Sequence, residues 1–105
     1  MTLFAVTYDH PDAGGWQQWV MPHVAWLQAR LADGSLLASG PFPQEPVKSA
    51  LLIMQAENLA ALEAIIATDP FAEAGLIENM TLREWDPIFG AFNPLSSMPG
   101  QLQGS

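Results

Sequence analysis

The chain has 105 residues, of which half are hydrophobic, and this length and composition predict a single globular domain with one core. Its 11 acidic and 3 basic residues give a formal charge of −8, which argues against nucleic acid or an anionic membrane surface as a partner. The absence of cysteine excludes disulfides and thiolate chemistry, and we expect a cytoplasmic protein because neither a signal peptide nor a membrane-spanning apolar stretch is recognisable.

The N-terminal part of the chain predicts a strand followed by a long helix. Residues 3–8 are apolar, rich in strand formers and followed by turn residues, which indicates a buried strand. Residues 14–33 have helical spacing with His23 on the apolar face, and Gly34 is suited to end the helix. Pro22 leaves two alternatives open, because a proline in a helix interior predicts either a kink or a helix that begins at the proline.

The remaining elements complete an α+β pattern. Three more strands are predicted over residues 35–40, 48–55 and 76–85, and a second helix runs from its cap at Asn58 to Thr68. The order strand, helix, strand, strand, helix, strand predicts a ferredoxin-like βαββαβ fold, with a four-stranded antiparallel sheet and both helices on one face. The other face would be exposed, so we expect a homodimer that forms through the open sheet face.

The sequence divides into a folded domain over residues 1–87 and a C-terminal extension over residues 88–105. Prolines and glycines punctuate the extension, which therefore lacks a regular pattern. Its first part, up to Phe92, is too apolar for a free linker and is expected to pack against the body of the protein. Residues 98–105 are expected to be loose.

Residues 67–76 contain the turn around which the candidate site is organised. Pro70 disfavours helical angles at Asp69, which fits an N-cap aspartate followed by a proline at the first helical position. Gly75 is suited to the left-handed residue that ends such a turn. The carboxylate of Asp69 is therefore expected to be fixed by the backbone between two helical segments.

His23 and Asp69 are the residues whose side chains could carry acid–base chemistry. The ferredoxin-like plan places the first helix beside the second on one face of the sheet, so the turn at Asp69 can reach His23. A carboxylate that accepts a hydrogen bond from one imidazole nitrogen fixes the tautomer and leaves the other nitrogen as a base. Taken separately, each residue has an ordinary structural interpretation, namely a core histidine bonded to a backbone carbonyl and a helix cap.

Aromatic and small polar residues supply further candidates for a small-molecule site. Trp16, Trp26 and Phe42 are expected to form an aromatic wall, which suits the mostly apolar clefts that bind small ligands. The substrate-binding candidates are Tyr8, Trp26, Ser39, Gly40, Pro41 and Phe42. The sequence contains no metal-ligand spacing, phosphate loop or hydrolase motif, so we expect no metal and no cofactor.

Four short motifs resemble those of the YCII-related (YciI-like) family. They are Pro-His-Val-Ala-Trp-Leu at 22–27, Gly-Ser-Leu-Leu-Ala-Ser-Gly-Pro at 34–41, Asp-Pro-Phe-x-x-Ala-Gly-Leu at 69–76 and Glu-Trp at 84–85. Each motif is short, but their combination and their order are specific. The resemblance covers roughly residues 1–87.

The resemblance implies a dimeric ferredoxin-like α+β barrel. It also implies that His23 and Asp69 match the family's proposed catalytic pair, with Ser39 beside it. Many members carry an arginine one turn before the histidine, a region that Trp19 and Val20 occupy here. The best-known activity in the family is that of a dehydrochlorinase acting on a chlorinated hydroxyquinol-type ring, and muconolactone isomerases share the barrel.

The sequence supports two functional hypotheses. The first is a small-molecule enzyme in which His23 acts as general base or acid in proton abstraction, elimination or isomerisation of a small aromatic or quinol-like compound. The second is a non-catalytic dimeric module that binds a ligand or serves a structural role, in which the same residues cap and pack. The expected partners are a second copy of the chain and a small-molecule ligand.

Overall fold

The computed structural model describes residues 1–100. Its strands are β1 (Thr2–His10), β2 (Leu36–Pro41), β3 (Lys48–Ala56) and β4 (Glu78–Glu84). Its helices are α1 (Ala13–Asp33), α2 (Leu59–Ile66) and the short α3 (Pro70–Glu73), and a single 3₁₀ turn follows at Asn93–Leu95. No helix within the described range has both the length and the apolar character needed to cross a bilayer.

The four strands form one antiparallel sheet in the order β2-β3-β1-β4. This order places β1 and β3 in the centre and leaves β2 and β4 at the edges. The α+β class and the ferredoxin-like plan predicted from the sequence are thereby confirmed.

The core lies between the sheet and the helices. Alternate side chains of β1 contribute to it. Phe4, Val6 and Tyr8 are buried in one cluster with side chains from α1 and α2, among them Trp26 and Leu62. Alternate residues of a strand point to opposite faces of the sheet. The even-numbered residues of β1 therefore face the helices, and the last of them, His10, is also buried.

Helix α1 runs without interruption through Pro22, so the helix does not begin at the proline. The side chain of Asp12 accepts a hydrogen bond of 3.0 Å from the backbone N–H of Gly15, which caps the N-terminus. A Cβ at Gly15 would lie 2.6 Å from the Leu76 side chain, so glycine permits this end of the helix to approach the loop before β4. The helix ends, as expected, at Gly34, whose φ of 85° is left-handed.

The open face of the sheet, formed by the odd-numbered residues of β1 and their neighbours, is covered only in part. Leu3 and Ile53 are buried there without belonging to the core cluster. Thr7 is half-buried, pairs with the half-buried Leu51 on β3 and exchanges a side-chain hydrogen bond with Thr81 on β4. The centre of this face is therefore a mixture of apolar and threonine side chains.

Residues 86–100 form a compact loop after the sheet. The buried Asn93 side chain donates hydrogen bonds to the carbonyls of Ile88 and Met98 and accepts one of 2.8 Å from the N–H of Gly100. Asp86 accepts two hydrogen bonds from Ser97, one of them from its backbone N–H at 2.9 Å. The division of the chain at residue 87 stays a prediction. The looseness expected for residues 98–105 also stays a prediction, and residues 101–105 lie outside the described range.

Candidate active site

The turn between α2 and α3 holds Asp69 at the N-cap of α3. Asp69 has an extended backbone, Pro70 occupies the first helical position, and the Asp69 side chain accepts a hydrogen bond of 3.0 Å from the N–H of Phe71. Gly75 has a φ of 71°, so a left-handed glycine ends the turn as the sequence predicted. These local preferences fix the position of the carboxylate before any contact with another element is considered.

The structure brings His23 of α1 into contact with this carboxylate. Nδ1 of His23 lies 2.9 Å and 3.0 Å from the two side-chain oxygens of Asp69. Since an ionised carboxylate only accepts hydrogen bonds, Nδ1 carries the proton and Nε2 is left with its lone pair. Asp69 is completely buried and His23 is 8% exposed, so the carboxylate itself is shielded from water.

Two aromatic rings pack against the imidazole of His23. Phe71 stacks on His23 with ring centroids 4.1 Å apart and planes inclined by 22°. Trp26 lies nearly parallel to the imidazole at 6.1 Å, and its Nε1 donates a hydrogen bond of 2.8 Å to the hydroxyl of Thr68. The ring orientation is therefore fixed by packing as well as by the hydrogen bond.

His23 lines a cavity of about 470 Å³ between α1, the central strands and the loop after β2. The cavity also contains five of the six substrate-binding candidates, namely Tyr8, Ser39, Gly40, Pro41 and Phe42. Trp26 and Asp69 do not line it, although the Trp26 ring lies nearly parallel to the imidazole of His23 and Asp69 is hydrogen-bonded to it. Ser39 to Phe42 are exposed and form the rim, whereas Tyr8 is buried on the sheet side.

His10 lines the same cavity and was not singled out from the sequence. Its ring is 4% exposed and lies 6.4 Å from that of His23, and its Nδ1 donates a hydrogen bond of 3.0 Å to the carbonyl of Leu76. Burial lowers the pKa of His10 more strongly than that hydrogen bond raises it. The alternation of side chains along a strand could have identified His10. If the first strand is extended by two residues beyond Tyr8, His10 lies on the same face of the sheet as Tyr8.

Tyr8 and Lys48 are two further polar residues beside the cavity. The Tyr8 hydroxyl is buried and has no hydrogen-bond partner within residues 1–100, and burial together with the Asp69 carboxylate raises its pKa. Lys48 reaches the mouth of the cavity, where its Nζ lies 4.2 Å from the ring centroid of Trp16. Within residues 1–100, no group of three or more His, Asp or Glu side chains is arranged to hold a metal ion.

The structure thus combines a ferredoxin-like antiparallel sheet with a buried His–Asp pair beside a cavity, which defines a small α+β protein of the ferredoxin-like class. The model of the YCII-related domain matches residues 1–86, and the chain belongs to this family. The family predicted from the four motifs is thus confirmed.

Two of the solved structures to which this chain is similar are described by their identity and coverage. One is 5-chloro-2-hydroxyhydroquinone dehydrochlorinase (TftG) from Burkholderia phenoliruptrix AC1100 in complex with 2,5-dihydroxybenzoquinone, with 22% identity, a TM-score of 0.62 and coverage of 79% of this chain and 93% of that one. The other is a dimeric ferredoxin-like protein of unknown function from Jannaschia sp. CCS1, with 16% identity, a TM-score of 0.46 and coverage of 82% and 99%. No curated protein sequence gives a significant match.

Proposed function

We propose that the protein is a small-molecule enzyme in which His23, oriented by Asp69, transfers a proton during an elimination, an isomerisation or a related reaction of a small aromatic or quinol-like compound. The observation that carries the proposal is the contact between Nδ1 of His23 and both oxygens of the buried Asp69, on a histidine that lines the cavity. This arrangement leaves Nε2 as the nitrogen that is free to accept a proton.

The chemistry expected of this pair is general base catalysis followed by general acid catalysis. Nε2 of His23 takes a proton from the substrate, and the Asp69 carboxylate stabilises the imidazolium that forms. In an elimination, the electron pair of the broken C–H bond forms the new double bond while the leaving group departs with its own pair. In an isomerisation, the imidazolium returns the proton to a different atom of the same molecule.

The walls of the cavity support a planar, largely apolar substrate. Trp16, Phe42 and Phe71 line it, and mostly apolar, aromatic clefts of this size are typical of small-ligand sites. The structural neighbour TftG is described as a dehydrochlorinase of 5-chloro-2-hydroxyhydroquinone, which makes that compound a reasonable first substrate to assay.

Release of chloride from 5-chloro-2-hydroxyhydroquinone by the wild type, His23→Gln and Asp69→Asn tests the catalytic role. We expect His23→Gln to lower kcat by about 100-fold or more, the usual contribution of a general base. Asp69→Asn retains a good N-cap, so a loss of activity in this variant reports on the carboxylate. Asp69→Ala removes the cap as well and is expected to cost about 1 kcal/mol of stability.

The tautomer of His23 gives a readout that does not depend on the choice of substrate. We expect ¹⁵N NMR to show the Nδ1–H form in the wild type and a shift toward the Nε2–H form in Asp69→Asn. In this variant the amide oxygen can keep the cap on Phe71, and the amide NH₂ replaces the second carboxylate oxygen and faces Nδ1 as a donor. An unchanged tautomer in Asp69→Asn would contradict the proposed pair, whatever the assay with the chlorinated compound shows.

The alternative function is that of a non-catalytic dimeric module that binds a ligand or has a structural role. The observation in its favour is that Asp69 already serves as the cap of α3 and that Phe71 packs on His23, so the same contacts have structural value. A binding module would retain its ligand affinity and show no turnover in either wild type or His23→Gln.

We also propose that the chain forms a homodimer through the open face of its sheet.

A further inference from the structure

His10 is a buried polar residue that the proposed mechanism does not use. It lies at the end of β1, is 4% exposed, and its ring lines the same cavity as His23. The Phe71 ring packs against both imidazoles, with its centroid 4.5 Å from that of His10 and 4.1 Å from that of His23. The two imidazole centroids are 6.4 Å apart, so a small molecule in the cavity would meet both histidines.

The hydrogen bond made by Nδ1 leaves Nε2 as the free nitrogen of His10. Nδ1 lies 3.0 Å from the carbonyl oxygen of Leu76, a residue that does not line the cavity. A carbonyl oxygen only accepts, so Nδ1 carries the proton and Nε2 has a lone pair. Nε2 makes no hydrogen bond within residues 1–100 but keeps accessible surface, whereas the hydroxyl of the neighbouring Tyr8 is both unpartnered and sealed from solvent. Since little of His10 is exposed and its ring lines the cavity, this surface faces the cavity.

The charge of His10 determines what Nε2 can bind. Burial lowers the pKa of the imidazole, and a charge on His23 lowers it further, against smaller opposing effects of the Leu76 carbonyl and of the Asp69 and Asp9 carboxylates. His10 is therefore neutral at neutral pH, and Nε2 can accept a hydrogen bond but cannot donate one. A ligand that covers this nitrogen must offer it a hydrogen, because an acceptor atom placed there would leave both lone pairs without a partner.

We propose that Nε2 of His10 accepts a hydrogen bond from an N–H or O–H group of the ligand in this cavity, so that His10 selects rings that carry a donor over rings of the same shape that do not. The inference rests on the proposed function only in taking the cavity as the ligand site. His10 would hold the ligand beside His23, and it would do so whether or not His23 turns the ligand over.

Indole and benzofuran are a suitable pair of probes, because they share a shape and differ in an N–H group against a ring oxygen. We expect the wild type to bind indole about fivefold more tightly, the effect of one neutral hydrogen bond. The chain has two histidines, so each imidazole nitrogen can be followed by ¹⁵N NMR. Indole should move the Nε2 resonance of His10 upfield, and benzofuran should not.

Two substitutions of His10 separate this role from a structural one. In His10→Asn the amide NH₂ can stand where Nδ1 donates to Leu76, and no atom replaces Nε2, so the preference for indole should disappear while the hydrogen bond to Leu76 is retained. In His10→Gln the amide reaches the position of Nε2, where its oxygen can accept, so part of the preference should return.

Thr68→Val is the control for a loss of stability. The Thr68 hydroxyl accepts a hydrogen bond from Trp26 and donates one to the carbonyl of Ile65, and Thr68 does not line the cavity. Its removal should lower Tm and leave the preference for indole unchanged.

Three results would overturn the inference. They are a wild type that does not bind indole more tightly than benzofuran, an indole shift at Nε2 of His23 in place of His10, and a preference for indole that survives in His10→Asn. If His10→Asn does not fold, the wild-type affinities and spectra decide. An unchanged His23 tautomer in Asp69→Asn would contradict the proposed function and leave this inference standing.

Discussion

His10 is neutral in the folded protein over a wider pH range than in the unfolded chain. Burial lowers the pKa of its imidazole, so the unfolded state takes up protons more readily than the folded state as the pH falls. The stability associated with neutral His10 is therefore fully present above the ordinary pKa of about 6.5. It is lost progressively as the pH decreases through that value toward the lower pKa of the folded state.

We predict that His10→Gln weakens the acid dependence of stability. The free energy of unfolding of the wild type, measured with urea at about pH 8 and about pH 5, should decrease at the lower pH because His10 must be protonated in the unfolded chain. His10→Gln should show a smaller decrease. His23 is present in both proteins, so the difference between the two decreases isolates His10, and identical decreases would show that His10 does not contribute.

The contrast between Asp69 and His10 shows what a sequence reveals about single residues. Asp69 was predictable because the cap depends on its immediate neighbour Pro70, and local backbone preferences survive folding. His10 was missed because the residues that follow Tyr8 favour turns, whereas the ladder with β3 continues as far as Lys48. The end of a strand depends on how far the neighbouring strand continues to pair with it. A single sequence does not show which segment is that neighbour.

The side chain of Asn93 connects distant parts of the loop after β4. We predict that Asn93→Ala destabilises residues 86–100, because two carbonyls and one N–H lose their buried partner. The cost should be about 2 kcal/mol, seen as faster hydrogen exchange at the amide of Gly100 and as a lower Tm if the loop is coupled to the sheet.

Gln18→Ala is a matched control for this prediction, because it truncates an exposed amide on the surface of α1. It should change neither Tm nor exchange in the loop. If Asn93→Ala accelerates exchange without a change in Tm, the loop is a separate unit that contributes little to the domain.

Helix α1 and strand β4 show where element-level prediction was limited. Pro22 removes one backbone hydrogen bond, but the cap at Asp12 and the buried contacts of His23 and Trp26 stabilise both sides of the proline. In β4, Met80 is 42% exposed, whereas Leu82, two residues later, packs against the core. An edge strand receives neighbours on one side only, and its burial depends on what else covers it.

At the scale of the whole molecule, the proposed homodimer depends on the open sheet face. Leu51 lies near its centre, opposite Thr7 on β1, and is half-buried in the single chain. We predict a homodimer by sedimentation equilibrium at micromolar concentration, and a monomer for Leu51→Lys, because a charge would be buried in the interface without a partner.

Leu31→Lys provides the control, since Leu31 is 53% exposed on α1 and the same substitution there should leave the dimer intact. A monomeric wild type would contradict the proposed dimer. A dimer in Leu51→Lys would place the interface elsewhere on the surface.

The double use of Asp69 has a consequence for how this family changes over time. The carboxylate holds the first N–H of α3 and the imidazole of His23 at once, so its replacement by a residue that cannot cap a helix damages the fold even in a lineage that no longer needs the chemistry. The imidazole of His23 has no comparable role in capping the backbone. In a descendant that has abandoned catalysis, we therefore expect position 23 to drift before position 69, and an aspartate at 69 alone would be a poor sign that such a descendant is active.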